Sequence, residues 1–160
     1  MTPGILTGIW TYRSWLNDPA LKDGLADDSL LFGSGYIRID EADFQQFKGE
    51  IYGPPDYTNP DPLAVPHSWG LKLTGSINYG NPYTMRFEGR GLNMPGPVEW
   101  NYDYLGYLVN NWVYDVQQPP TLVGTIVRTI PHLSTDAKGN NVMHPAGVTC
   151  TWYAVKYSNG

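Results

Sequence analysis

Eight segments that alternate apolar and polar residues run the length of the chain. They cover residues 8–16, 30–40, 46–52, 70–79, 83–92, 99–109, 121–130 and 147–157. Each is rich in β-branched or aromatic residues and is bounded by Gly, Pro, Asn or Asp, which is typical of β-strands. Glycine recurs inside them, at positions 33, 35, 75, 89, 106 and 124, as in sheets that bend enough to close. The sequence therefore predicts a single domain over 1–160, all-β, folded as a closed antiparallel eight-stranded up-and-down barrel.

The connections between these segments predict where such a barrel opens. The short link 80–82 indicates a hairpin, whereas the links 52–67, 110–120 and 133–146 are long. If strand direction alternates, the links after segments one, three, five and seven lie at one end, which we expect to be the open mouth. The stretches 18–25 and 41–45 are candidates for a turn of helix, and nothing longer has a helical pattern.

Alternation along each strand assigns side chains to two faces, since successive residues point in opposite directions. In segment seven a row of threonines marks the outer face, which places Arg128 inward, with His132 two residues beyond that segment on the same period. The same argument places Tyr102, Tyr104 and Trp152 inward. The pattern leaves the reverse assignment open, because a barrel with a polar lumen and apolar outer contacts would exchange the faces.

Composition excludes several classes of partner. The net charge is −5 and no basic stripe is present, so we expect no nucleic-acid binding. No segment is apolar enough to span a bilayer, so we expect no membrane partner. No signal peptide is visible and Cys150 is the only cysteine, which favours the cytoplasm, although secretion after processing stays open. Cys150 lies in an apolar segment and is expected to be a small core residue.

The opening of the first segment resembles a known superfamily. Leu6-Thr7-Gly8-Ile9-Trp10 is similar to the Gly-x-Trp signature of calycins, the lipocalins and avidins, and especially to the avidin opening. The resemblance implies that Trp10 plugs one end of the barrel against a cation from a late strand, for which Arg128 and Lys156 are the candidates. Allene oxide cyclases and dirigent proteins also form eight-stranded barrels and stay open as alternatives.

No complete catalytic motif is present. The three histidines have no metal-ligand spacing, and no P-loop or dinucleotide fingerprint occurs, so we expect neither a metal nor a cofactor. Two residues are candidates for proton transfer: His132, because imidazole titrates near neutral pH, and Glu88, which shares one face of segment five with Arg86 and Arg90. That row of alternating charge is also typical of an exposed ladder on the outer surface.

Three hypotheses follow. The first is binding of a small apolar or aromatic molecule in the barrel interior. Its predicted contacts are Trp10, Tyr12, Tyr102, Tyr104, Arg128 and Trp152. The second is a cofactor-independent cyclase, isomerase or lyase acting on a small organic substrate, with His132 or Glu88 moving the proton. The third is a structural module that forms a homo-oligomer through outward aromatic residues, namely Trp15, Tyr36, Tyr153 and Tyr157.

Overall fold

The structure, a computed structural model, describes residues 3–17, 30–42, 45–80, 82–94, 96–109 and 118–158. Within these ranges the chain forms ten strands and two short 3-10 helices, at Pro3–Ile5 and Pro97–Glu99. The strands are β1 (Gly8–Leu16), β2 (Leu31–Ala42), β3 (Gln46–Gly53), β4 (Trp69–Asn78), β5 (Tyr83–Gly91), β6 (Asn101–Val109), β7 (Thr121–Arg128), β8 (His132–Thr135), β9 (Asn141–His144) and β10 (Thr149–Ser158).

Eight of these strands close into a barrel in the order β1-β10-β7-β6-β5-β4-β3-β2, with β2 paired back to β1. Every neighbouring pair is antiparallel. The predicted all-β closed barrel is confirmed, including the hairpin that joins β4 to β5.

Two details, the end of the seventh segment and the link that follows it, differ from the prediction. Strand β7 ends at Arg128 rather than at residue 130, and the link predicted over 133–146 contains a second small sheet made by β8 and β9. Pro131 lacks a backbone N–H, so it ends the barrel strand and lets the chain leave the sheet as a separate hairpin. The candidate helical turn at 18–25 and most of the link 110–120 lie outside the described residues, as do residues 43 and 44 of the other candidate turn.

The barrel interior is filled by the faces that alternation predicts to be inward. In β7, Leu122, Ile126 and Arg128 are buried, whereas Thr125 and Val127 are exposed. Among the residues that the structure describes, twenty-one that are buried form one continuous cluster through the barrel. The lumen is therefore the apolar face, and the reversed assignment does not hold.

Close backbone approach explains two of the strand glycines. A Cβ added to Gly106 would lie 2.7 Å from Cζ2 of Trp152, and one added to Gly124 would collide with the carbonyl oxygen of Leu105. Gly106 and Gly124 face each other across β6 and β7. Only glycine lets the two strands pass this closely beneath the indole ring.

The outer wall carries a second, smaller cluster under residues 54–68, which we call the strap. Tyr52 donates a hydrogen bond from its hydroxyl to the carbonyl of Pro62 at 2.8 Å, and its ring stacks on His67 at 4.0 Å. Beside it Tyr36 is buried with Ile9. Tyr36, expected to face outward for self-association, is thus already covered within the chain.

The other predicted outward aromatics do lie on the outer wall. Trp15 stacks on Tyr153 at 5.3 Å, and Tyr157 is exposed.

None of the helices found within the described ranges has the length and apolar character needed to cross a bilayer.

Candidate functional site

One end of the barrel contains a cavity of about 760 Å³. Its polar corner holds Arg128, His132, Ser134 and His144, and its apolar wall includes Leu16, Leu31, Leu71 and Val148. Among the described residues that line it, seven have large aromatic side chains: Tyr12, Phe32, Tyr57, Trp69, Trp100, Tyr102 and Tyr104.

The cavity lies where the sequence predicts the mouth. Among its lining residues, Leu16 and Leu31 border the link after β1. Tyr57 lies in the link after β3, and Trp69 follows that link at the start of β4. Trp100 ends the link after β5. The β8–β9 hairpin, which follows β7, contributes the fourth side. A rigid barrel thus presents strand ends, two links and a hairpin around one opening, a common arrangement for binding sites.

Two aromatic residues meet at this mouth, Tyr57 of the strap and Trp69 at the start of β4. The hydroxyl of Tyr57 donates to the carbonyl of Ser34 at 3.0 Å and accepts the indole N–H of Trp69 at 2.7 Å. These two bonds join the strap to the start of β4 and to β2. The aromatic rim at the mouth is therefore held by hydrogen bonds as well as by packing.

Arg128, at the end of β7, is the charged group of the cavity and is only 5% exposed. Its guanidinium carbon lies 5.5 Å from the ring centroid of Phe32 and 5.8 Å from that of Tyr102, within the range of cation–π attraction. Nη1 donates to the carbonyl of Pro145 at 3.2 Å, whereas Nε has no hydrogen-bond partner among the described residues. A charge held this way favours an anion in the cavity.

His132 begins the β8 strand and is also 5% exposed. Its ring packs against Trp100 at 5.6 Å and stacks on His144 at 4.8 Å. Burial lowers its pKa, and the charges of Arg128 and His144 lower that pKa further, so imidazole is neutral at pH 7. Nδ1 has no partner among the described residues, and His144 instead bonds Ser134 through Nε2 at 2.6 Å.

Tyr12 and Tyr104 line the inner part of the cavity. Burial raises the pKa of Tyr12 and raises that of Tyr104 well above its usual range, so both phenols stay protonated and can donate hydrogen bonds. Trp152, predicted as a ligand contact, packs against both rings, at 6.3 Å and 6.1 Å, but does not line the cavity. Its indole N–H donates to the carbonyls of Leu105 and Thr125, which fixes it in the core.

Trp10, the other predicted contact outside the cavity, lies at the closed end. It is fully buried and donates its indole N–H to the carbonyl of Leu6 at 2.9 Å. Nζ of Lys156 lies 4.8 Å from the Trp10 ring centroid and donates to the carbonyls of Ile5 and Thr7. Of the two cations considered for this contact, Lys156 therefore occupies it, and Trp10 is a plug rather than a cavity residue.

Glu88 is not brought to the cavity. It lies on the outer face of β5, where its carboxylate accepts from Arg90 and Asn101, both at 3.0 Å. These hydrogen bonds lower its pKa, so it is ionised and solvated at neutral pH. Arg86 similarly pairs with Asp103 at 3.2 Å on the outer wall, as expected for an exposed charge ladder.

Several cavity residues were absent from the predicted set. Tyr57 lies on a link and His144 at the end of a short strand, where alternation carries little information, whereas Trp69 lies one residue before the predicted fourth segment, on the same period as Leu71. Phe32 lines the cavity beside Gly33 and Ser34, three consecutive residues, because the register between β1 and β2 shifts between Ser14 and Trp15. Trp100 shares the inward face of segment six, which the pattern does indicate.

Among the described residues, no group of three or more His, Cys, Asp or Glu side chains is arranged to hold a metal ion. The site is thus defined by one buried cation, a neutral histidine, protonated phenols and aromatic walls. No family model matches the chain, and neither a curated protein nor a solved structure is significantly similar to it.

Proposed function

We propose that the barrel binds a small molecule, largely apolar or aromatic, in the cavity at its open end. The observation that carries the proposal is the cavity itself, about 760 Å³ with seven aromatic residues in its lining. That volume lies within the range of small-molecule sites, which are mostly apolar with a few placed polar groups. The contacts proposed are Tyr12, Tyr102, Tyr104 and Arg128 from the predicted set, joined by Trp100.

We also propose a calycin-like origin for this barrel. Support comes from the Gly8-Ile9-Trp10 opening and from Trp10, which plugs the closed end beneath the cation of Lys156. The cytoplasm is the compartment proposed, since Cys150 is a free, buried thiol.

The binding proposal is tested with N-phenyl-1-naphthylamine, a neutral probe that fluoresces in apolar sites. Gly33 lines the cavity, and a Cβ there would make only ordinary contacts, 3.4 Å from Ser14 and 3.6 Å from Tyr12. Gly33→Leu places a branched side chain inside the cavity and should weaken saturable probe binding at least about tenfold, the effect of losing about 1.4 kcal/mol.

Gly4→Leu is the matched control. Gly4 is exposed in the short helix that precedes β1, near the closed end, and a Cβ added there would have no atom within 4 Å. It should bind the probe like the wild type. Absence of saturable binding to the wild type, or equal binding to Gly33→Leu, would refute the proposal.

A second candidate function is a cofactor-independent enzyme on the same site. The observation that favours it is the neutral, buried His132 beside Arg128, since imidazole can accept a proton while a guanidinium stabilises an enolate or carboxylate. Molecules that co-purify with wild type and with His132→Gln should then differ in chromatographic retention, because the variant keeps unreacted substrate. An identical bound molecule in both would leave binding as the only function.

A further inference from the structure

Two polar atoms near the cavity mouth have no hydrogen-bond partner among the described residues: Arg128 Nε and His132 Nδ1. Both side chains line the cavity and both are 95% buried, so bulk solvent reaches little of either. Buried polar groups in folded proteins are nearly always hydrogen-bonded. Two unpartnered groups on the wall of one cavity therefore indicate that one polar group of a ligand binds to both of them.

Among the described residues, the side chains at this corner are positively charged or neutral. The side chains facing Arg128 and His132 are His144, Trp100, Phe32 and Tyr102. No carboxylate pairs with Arg128 within the described ranges, and Glu88 and Asp103 are engaged with arginines on the outer wall. A buried guanidinium is stabilised by an anion that brings matching acceptors.

The size and shape of the corner restrict that anion. The rings of Phe32 and Tyr102 lie 5.5 and 5.8 Å from the guanidinium carbon, and Nε is a guanidinium donor without a partner among the described residues. One guanidinium matches the two oxygens of a planar carboxylate, whereas a phosphate carries more charge and more acceptors than one cation satisfies. The remaining walls are aromatic and accommodate a flat apolar body.

We propose that the ligand of this cavity is a carboxylic acid with an aromatic or other planar apolar body, its carboxylate bound by Arg128 and by His132 Nδ1–H. The proposal rests on the proposed function and adds the chemical class of the ligand. Arg128 supplies the charge and the fork of donors. His132 donates when its proton is on Nδ1, a tautomer that its contact with His144 leaves available.

A matched pair of probes tests this proposal. 2-Naphthoate and 2-naphthamide have the same ring system and nearly the same shape but differ in charge. We expect the wild type to bind the acid at least about tenfold more tightly than the amide in isothermal titration at low salt, and Arg128→Met to lose most of that preference. Arg86→Met, which removes an exposed outer arginine, should keep the wild-type preference.

His132→Gln should reduce the preference for the acid several-fold and leave the affinity for the amide unchanged. If Arg128→Met fails to fold, Arg128→Lys retains the charge without the fork and should lose part of the preference. Equal wild-type affinities for acid and amide overturn the carboxylate proposal and leave the proposed function standing. Binding of neither compound overturns it as well, and N-phenyl-1-naphthylamine then shows whether the cavity binds apolar molecules at all.

Discussion

If the cavity binds a carboxylate as proposed, Arg128 and His132 should make that binding sensitive to pH. Burial depresses the pKa of His132, and Arg128 and His144 depress it further, so the free protein holds this imidazole neutral. A carboxylate beside the ring favours the protonated form and raises that pKa in the complex. The proposed complex should therefore take up protons on binding at pH values between the pKa of His132 in the free protein and its pKa in the complex.

Binding of 2-naphthoate should consequently tighten as pH falls from about 7.5 to about 5.5, a range in which carboxylates stay ionised. The gain is complete below the pKa of the free protein and is lost as pH rises through the pKa of the complex. In His132→Gln the affinity should vary much less with pH. Titration calorimetry at several pH values measures this, and a flat profile in the wild type would exclude His132 as a ligand donor.

Cys150 shows the opposite behaviour, a titratable group that the fold makes inert. The thiol is buried in the core, and burial raises its pKa to about 11, so almost no thiolate exists at neutral pH. We expect a disulfide reagent such as Ellman's reagent to react orders of magnitude more slowly with folded protein than with protein unfolded in urea. Rapid labelling of the native state would mean that this part of the core opens readily.

At the scale of elements, the two ends of the barrel have separate roles. The closed end is built from the short N-terminal helix, the start of β1 and the end of β10, joined by Lys156 and Trp10. The open end is built from the opposite ends of the same strands and from the β8–β9 hairpin. Changes at one end should therefore leave the other largely unaffected.

Lys156→Met tests this separation. It keeps an apolar side chain against the indole but removes the cation–π contact and the hydrogen bonds to two carbonyls, and should cost about 1–2 kcal/mol of unfolding free energy. Probe binding at the open end should be unchanged. Lys72→Met, on the exposed face of β4, should alter stability by less than about 0.5 kcal/mol. Urea denaturation gives both values, and a Lys156→Met variant that loses probe binding while folded would contradict the separation.

At the scale of the whole molecule, the sequence predicts well whether a side chain points into the barrel, but poorly where along the barrel axis it lies. Alternation correctly places Tyr102, Tyr104 and Arg128 inward, because a closed apolar lumen enforces the two-residue period. It does not tell how far along the barrel axis a side chain lies, which depends on strand register. The pattern for that reason does not distinguish Trp10, which plugs the closed end, or Trp152, which lies in the core, from side chains that line the cavity.

His132 illustrates a correct expectation with a different structural cause. The period of β7, extended past Pro131, predicts an inward side chain, but the chain leaves the barrel there and His132 is buried by a hairpin instead. Hairpin and β-bulge residues have no simple period, so the sequence carries no signal for Phe32 and His144, whereas Trp69 shares the inward period of β4 but precedes the predicted segment. Charge alternation on β5 did predict the outer ladder in which Glu88 lies.

The tryptophans offer the most direct test that the cavity binds a ligand. Trp69 and Trp100 line it, whereas Trp10 lies at the closed end and Trp15 on the outer wall. Their indole N–H signals can be followed separately in ¹⁵N-labelled protein during a titration with 2-naphthoate. We predict saturable shifts of the Trp69 and Trp100 signals with Trp10 and Trp15 unmoved; no saturable shift at either cavity tryptophan, or shifts confined to Trp15, would contradict binding in the barrel.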